Sequence, residues 1–161
     1  MNKSELLQKV IDVLRGNIES VERRAQTATQ ASIDAPGAMQ SHSDTTKSQM
    51  GQIANALQKS LSEQQHAMSA LQTMVSMSRP GEAKFVGEGT LVEVTDGSSE
   101  KELYLILPAG GGIEIEDGEN TILVVTSQAP IAVALIGMRR GESVEFGVDR
   151  LVRKLTVLDI Q

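Results

Sequence analysis

Two carboxylates flank a Pro-Gly break in an otherwise helical pattern, in the stretch ASIDAPGAMQSHSDTTK at residues 31–47. They belong to Asp34 and Asp44. A carboxylate beside a chain reversal could be a functional group placed at the bend. The alternative is that both acids have structural roles. Asp34 would then cap a loop or be a solvated loop residue. Asp44 would be an acid at the start of a helix after Ser43, where the helix dipole favours negative charge.

Other residue types that carry chemistry give no further candidate. The chain has no cysteine, so disulfides and thiolate metal sites are excluded. His42 and His66 have no second histidine or carboxylate at metal-ligand spacing, and we expect them to be solvated helix residues. The glycines at 110–112 lack the Lys-Ser/Thr and the helix start of a phosphate-binding loop. The sequence therefore predicts no catalytic residue and no intrinsic metal or cofactor.

The charge distribution points to a protein partner. Residues 1–78 carry seven Lys/Arg and seven Asp/Glu, whereas residues 79–161 carry eight and fourteen, which accounts for the net charge of −6. An acidic half repels phosphate backbones, and an aromatic content of 2% leaves few stacking surfaces for single strands. No apolar run approaches the ~20 residues that cross a bilayer, and no signal-peptide core is present. We expect a soluble, cytoplasmic protein.

The first half has the spacing of a coiled coil. Starting after a candidate N-cap at Ser4, one apolar stripe alternates steps of four and three: Leu7, Ile11, Leu14, Ile18, Val21, Ala25 and Ala28. A second stripe has an extra four-residue step that predicts a stutter: Met50, Ile53, Leu57, Leu61, Met68, Leu71 and Val75. Pro36 and Gly37 prevent the helices from continuing in line, which favours an antiparallel hairpin over residues 1–78. Its arm would be about 45 Å long, with a tip near 32–43.

The second half has the period of strands. Arg79-Pro80-Gly81 marks the boundary, after which GTLVEVT and ELYLIL read as a hairpin around DGSS. IEIEDGEN, TILVVT, SVEF and LVRKLTVL predict further strands. PIAVALIG predicts one short helix, with Pro130 at its first position, Gly137 at its end and Ser127 as a candidate cap. Residues 79–161 are thus predicted to form a small antiparallel sheet with one helix, which makes the whole chain α+β.

The segment TILVVTSQAPIAVALIGMRRGESVEF resembles the signature of the bacterial Gre transcript-cleavage factors. In that family a strand leads through Ser-Pro-(Ile/Leu) into a short helix ending Leu-Ile/Leu-Gly, then a basic residue and Gly-Asp before a Val-rich strand. Ala129 replaces the usual Ser and Glu142 the usual Asp. The residues that fit are Pro130, Ile131, Ala134, Leu135, Ile136, Gly137, Gly141 and Val144. VGEGTLVEVTD resembles the opening strand of the family's FKBP-like C-terminal domain.

The resemblance implies a transcription elongation factor that binds RNA polymerase and is not itself an enzyme. In Gre factors the C-terminal domain docks at the rim of the polymerase's secondary channel, and the coiled coil reaches the active centre. Acids at its tip help to hold the second catalytic Mg²⁺, so any Mg²⁺ would be shared with the polymerase. For this chain the resemblance assigns docking to Pro130 and Ile131. Arg139 and Arg140 offer positive charge for the polymerase; alternatively they are a solvated pair.

The predicted tip departs from the family pattern. The family reads Gly-Asp-Leu-x-Glu-Asn-(Ala/Ser)-Glu-Tyr there. Asp34 aligns with the first acid, but Gly37 stands where the second should be, and Gln40 and Ser41 replace a further Glu and the Tyr. Asp44 could approach Asp34 only across a wide loop. One carboxylate supplies only part of a metal shell, so stimulation of RNA cleavage is in doubt, and occupation of the channel alone is the alternative.

Two other functions compete with this interpretation. An FKBP-like domain could be a prolyl isomerase, but that activity uses an apolar pocket lined by several aromatic rings, and this half has only Phe85, Tyr104 and Phe146. The chain could also be an interaction module whose coiled coil binds another partner or dimerises, since a two-helix hairpin leaves apolar surface open to water.

Overall fold

The computed structural model of the chain describes residues 3–34, 43–77, 83–97, 100–148 and 151–161. The predicted apex around Pro36 and Gly37, His42, and the Arg79-Pro80-Gly81 break lie outside these residues. The chain divides into two compact units. The sheet unit contains residues 1–12 and 69–161, and the helical unit contains residues 13–68. The domain boundary that the sequence predicts between residues 78 and 79 is not tested by this division and stays a prediction.

Two long helices form the N-terminal half. α1 spans Lys3–Asp34 and α2 spans Ser43–Met77. The described part of α2 begins at Ser43, where a helix start is predicted, and Ser4 lies in the first turn of α1. Residues 22–30 of α1 line a groove together with Gln58 and Leu61 of α2, so the two helices pack side by side in the helical unit.

The buried stripe of α1 follows the predicted spacing, but that of α2 does not. Leu14, Ile18, Ala25 and Ala28 are buried in the helical unit. On α2 the predicted stutter is wrong. Ile53 is 46% exposed, and the less exposed positions keep regular steps of four and three along Met50, Ala54, Leu57, Leu61, Gln64 and Met68. Ala54 and Gln64 hold the register although one is small and the other polar, which is why hydrophobicity alone missed them.

Gln64 brings an unsatisfied polar atom into this seam. Its Nε2 donates to Ser60 Oγ at 3.3 Å, but its buried Oε1 has no hydrogen-bond partner among the described residues. A buried acceptor without a partner costs about 1–3 kcal/mol. A polar residue at one seam position can fix the register of paired helices at the expense of stability.

We therefore expect Gln64→Leu to stabilise the helical unit by about 1–2 kcal/mol, because it removes the orphan acceptor and adds apolar contact. Thermal unfolding followed by the helical circular dichroism signal measures this change. Gln65→Leu is the matched control, since Gln65 is the exposed neighbour on the same helix. Equal stability of the two variants would contradict the role given to Gln64.

The sheet unit contains six strands in the order β3-β4-β2-β1-β6-β5. Their bounds are β1 Leu91–Thr95, β2 Lys101–Leu107, β3 Glu114–Asp117, β4 Asn120–Thr126, β5 Ser143–Val148 and β6 Leu151–Ile160. The predicted β1–β2 hairpin is confirmed, with Val92 opposite Tyr104. The sheet is mixed and not purely antiparallel, because β2 and β4 run parallel. The β3–β4 hairpin takes the outer edge of the sheet, which places β4 beside β2 in the same direction.

One face of the sheet is covered by helix α3, Pro130–Leu135. Pro130 occupies the first turn as predicted, and Gly137 follows the helix with φ +88°. Ser127 is not the cap: the N-cap is Ala129, which makes no side-chain cap bond. Because side chains alternate along a strand, one set of core residues packs with α3 on this face. This cluster includes Val86, Val92, Val94, Tyr104, Ile106, Ile131, Ala132, Leu135, Leu155 and Val157.

The opposite face of the sheet carries a second set of buried residues, and the start of α1 is bonded to its β3 edge. Six other strand residues are buried: Leu91, Leu105, Leu107, Ile115, Ile122 and Val124. The start of α1 buries two neighbouring stripes, Leu6 with Val10 and Leu7 with Ile11. Lys9 Nζ donates to Glu116 O at 2.9 Å and pairs with Asp117 at 3.3 Å. These bonds attach α1 to the β3 edge. Among the described helices, none is long and apolar enough to span a membrane.

Candidate functional site

The last residues of α1 carry an acid in an electrostatically unfavourable place. Asp34 is exposed at the C-terminal end of the helix, where the macrodipole favours positive charge, and the last turn contains no basic residue. Among the described residues, Gln30 is its hydrogen-bond partner: Gln30 Nε2 donates to Asp34 Oδ1 at 2.8 Å. Ile33 beside it is 66% exposed. Asp34 and Ile33 are therefore exposed side chains at this end of α1.

Asp44 has a structural reason for its position that Asp34 lacks. It lies in the first turn of α2, where the dipole favours a negative charge. Its side chain, like residues 35–42, lies outside the part of the chain that the structure describes. Within the described residues, no group of three or more His, Asp or Glu side chains could hold a metal ion.

Helix α3 presents an apolar edge to solvent. Pro130 is exposed, but Ile131 is only 9% exposed and packs in the core. Ile131 thus fixes the helix in place and offers little surface for the docking contact that the resemblance predicts. The exposed apolar side chains are instead Val133 at 62% and Ile136 at 42%. The sequence analysis missed both, because a helix of six residues is too short for its period to show which side is buried.

The turn after α3 holds the two predicted arginines at the surface. The turn is fixed by reciprocal bonds: the Arg139 backbone N–H donates to Glu142 Oε2 at 2.9 Å, and the Glu142 backbone N–H donates to Arg139 O at 3.1 Å. The Arg139 guanidinium lies 4.8 Å from the centroid of the Phe85 ring. Arg140 forms an ion pair with Asp159 at 3.4 Å. The structure thus brings Arg139 and Arg140 together with Phe85, a residue that the docking prediction did not include.

The three aromatic rings that a prolyl isomerase would need are used in other ways. Phe85 is 47% exposed beside Arg139. Tyr104 belongs to the core, and Phe146 packs against it. None of the described cavities is lined by more than one aromatic ring. No observation in the described part of the chain favours this alternative.

A polar network links Tyr104 to strand β6. The Tyr104 hydroxyl donates to Glu102 Oε2 at 2.5 Å, and Arg153 donates to both oxygens of the same carboxylate. Burial, and then the bond to Glu102, raise the pKa of Tyr104 to about 12. The bond to Glu102 also raises the pKa of Arg153. The network ties β2 to β6 across the strand β1 that lies between them.

The Tyr104 pKa predicts a loss of stability in alkali. Its folded pKa lies above the unfolded value of about 10, so its contribution is complete below about pH 10 and is lost as the pH rises to about 12. With solvent screening, we expect a decrease of about 1–2 kcal/mol in the free energy of unfolding. Because the chain has one tyrosine and no tryptophan, tyrosinate absorbance reports this residue alone. The free energy of unfolding of Tyr104→Phe should fall less between about pH 10 and pH 12 than that of the unchanged protein. An identical fall in both proteins would contradict the raised pKa of Tyr104.

Comparisons with known proteins give similarities to solved structures only. No family model and no curated protein matches the chain. GreA factor homolog 1 (Gfh1) of Thermus thermophilus is 18% identical with a TM-score of 0.39, and 94% of each chain is covered. Thermus aquaticus Gfh1 is 17% identical with a TM-score of 0.41, and 92% of each chain is covered.

A third solved structure is the prokaryotic transcription elongation factor GreA/GreB from Nitrosomonas europaea. It is 13% identical with a TM-score of 0.37, and the match covers 58% of this chain and 78% of the other. At these identities and TM-scores the similarities assign neither a family nor a function to the chain.

Proposed function

We propose that the protein is a transcription factor of Gre type that binds RNA polymerase and acts on paused or backtracked complexes through its secondary channel. The observation that carries the proposal is how the Gre-like segment folds. Strand β4, Pro130 in the first turn of α3, Gly137 and Gly141 at positive φ, and β5 follow one another in the order that the family signature requires. The two helices supply the hairpin that the same resemblance implies.

In this proposal the helical hairpin brings Asp34 to the polymerase active centre. The carboxylate would meet the polymerase's own catalytic Mg²⁺, and the exposed Ile33 would contact the channel wall. The unfavourable position of Asp34 on its helix supports a role in contact over one in stability. Because Gly37 stands where the family has its second acid, we propose that channel occupation, not RNA cleavage, is the main activity.

A binding assay and a transcript assay test the proposal together. The full chain is titrated onto bacterial core RNA polymerase, and RNA extension and cleavage are then followed in a stalled, backtracked complex. We expect binding, altered extension and little stimulated cleavage. Gly37→Glu restores the missing acid and is expected to give a small gain in cleavage. Absence of binding to the polymerase would overturn the proposal.

A further inference from the structure

A groove on the sheet unit is lined by residues from three separate segments. They are Ala83, Lys84 and Phe85 before β1, Arg139 and Arg140 after α3, and Asp159 and Ile160 at the end of β6. The groove encloses about 710 Å³. We call it the basic groove.

The charge of the basic groove is opposite to that of its surroundings. Residues 79–161 carry eight basic and fourteen acidic side chains, yet three exposed cations meet here: Lys84, Arg139 and Arg140. Asp159 offsets Arg140 at 3.4 Å. Lys84 and Arg139 form no ion pair with another described residue. The groove therefore has positive charge available for an anion.

The basic groove also has an apolar part that is held in place. Phe85 is 47% exposed and lies under the guanidinium of Arg139. Its neighbour Val86 is buried, and two backbone bonds attach it to the arginine turn: Val86 N–H to Met138 O at 2.9 Å, and Gly137 N–H to Val86 O at 2.8 Å. The backbones of the two walls are thus fixed relative to one another. A ligand that binds between them would therefore cause little further loss of backbone conformational entropy.

We propose that the basic groove binds an acidic segment on the surface of RNA polymerase. Carboxylates of that segment pair with Lys84 and Arg139, and an adjacent apolar side chain packs on Phe85. An arginine fork suits a carboxylate, and the exposed ring suits an apolar neighbour. A nucleic-acid strand fits less well, because Asp159 lies in the groove wall and the whole chain has a net charge of −6. This inference rests on the proposed function, which names the partner but not the chemistry of the contact.

Charge reversal tests the inference on the intact protein with core RNA polymerase. Lys84→Glu and Arg139→Glu are each expected to weaken binding about tenfold, with a smaller difference at high salt. Lys154→Glu is the matched control, because Lys154 is an exposed lysine of the same unit that does not line the groove. It should change the affinity by less than about twofold. If all three variants bind as the unchanged chain does, the inference is wrong while the proposed function stands.

A second measurement separates the groove from the choice of partner. An acetylated peptide of alternating glutamate and leucine, and a single-stranded oligothymidine, are titrated separately into the isotope-labelled full chain. We expect the peptide to shift the amide resonances of Lys84, Phe85 and Arg139, and Arg139→Glu to abolish the shifts. This result would show that the basic groove binds an acidic peptide even if the chain failed to bind polymerase, so the two failures can be told apart. Shifts at these residues with the oligonucleotide alone, or with neither probe, would overturn the inference.

Discussion

Asp34→Asn is expected to remove most of the residual RNA cleavage that the factor stimulates in a stalled transcription complex, about tenfold or more, without weakening its binding to RNA polymerase. The carboxylate is exposed and accepts a hydrogen bond from Gln30 Nε2, so replacing it with an amide leaves the packing of the described residues unchanged. The substitution also removes a negative charge from the C-terminal end of α1. The helical unit should therefore become more stable by about 0.3–1 kcal/mol. Loss of activity together with a gain in stability is the expected signature.

The same helix provides a matched control for this experiment. Gln8 Nε2 donates to Asp12 Oδ1 at 3.0 Å, which is the same exposed i,i+4 pair as Gln30 and Asp34. Asp12→Asn removes an equal charge far from the helix end and should leave transcription unaffected. RNA cleavage in a stalled complex and thermal unfolding are measured for both variants. If the two substitutions reduce activity equally, the role of Asp34 at the tip is contradicted.

The helices and the first hairpin could be predicted because their signals are local. Side chains spaced by four and three residues share one helix face, and Leu14, Ile18, Ala25 and Ala28 are buried accordingly. The α2 stripe was harder to predict because two of its positions are not large and apolar. Ala54 is small and Gln64 is polar, so the hydrophobic pattern favours Ile53, which lies on the exposed side.

The order of the strands could not be read from the same local pattern. The sequence pattern of β4 is typical of a strand, like those of its neighbours, and does not indicate the direction in which β4 pairs. In the structure β4 pairs with β2 in parallel, with Tyr104 opposite Leu123. Strand β4 can pair with β2 because β3 lies on the other side of β4, at the edge of the sheet. The position of β3 is determined by the packing of the whole sheet. Lys9 contributes to this packing through its bonds to Glu116 and Asp117, more than 100 residues away along the chain.

The residues of the basic groove also differ in whether a local sequence signal predicts them. Arg139 and Arg140 were predicted because a helix end followed by two cations is visible in the sequence. Phe85 and Lys84 were not, because they reach the same groove only through the backbone bonds between Val86 and the turn after α3. A residue with no local signal can become part of a site when tertiary hydrogen bonds bring its segment there.

Ile106→Ala should destabilise the sheet unit by about 2–5 kcal/mol, a substantial part of the stability of a typical domain. Ile106 is fully buried in the cluster between the sheet and α3, and its backbone also joins the segment that precedes β1 through Gly89 N–H and Thr90 O. The cavity would therefore open in the layer that supports α3 and the basic groove. We expect weaker binding to RNA polymerase at temperatures where the variant begins to unfold.

Urea unfolding followed by tyrosine fluorescence measures this loss directly, because Tyr104 is the only tyrosine and lies in the same cluster. Val152→Ala is the control: Val152 lies on β6 with 67% of its side chain exposed, and its truncation should cost less than about 0.5 kcal/mol. A difference of this size between the two truncations requires that α3 and the sheet enclose Ile106. If they cost the same, α3 does not cover this face in solution, and the support inferred for the basic groove is lost with it.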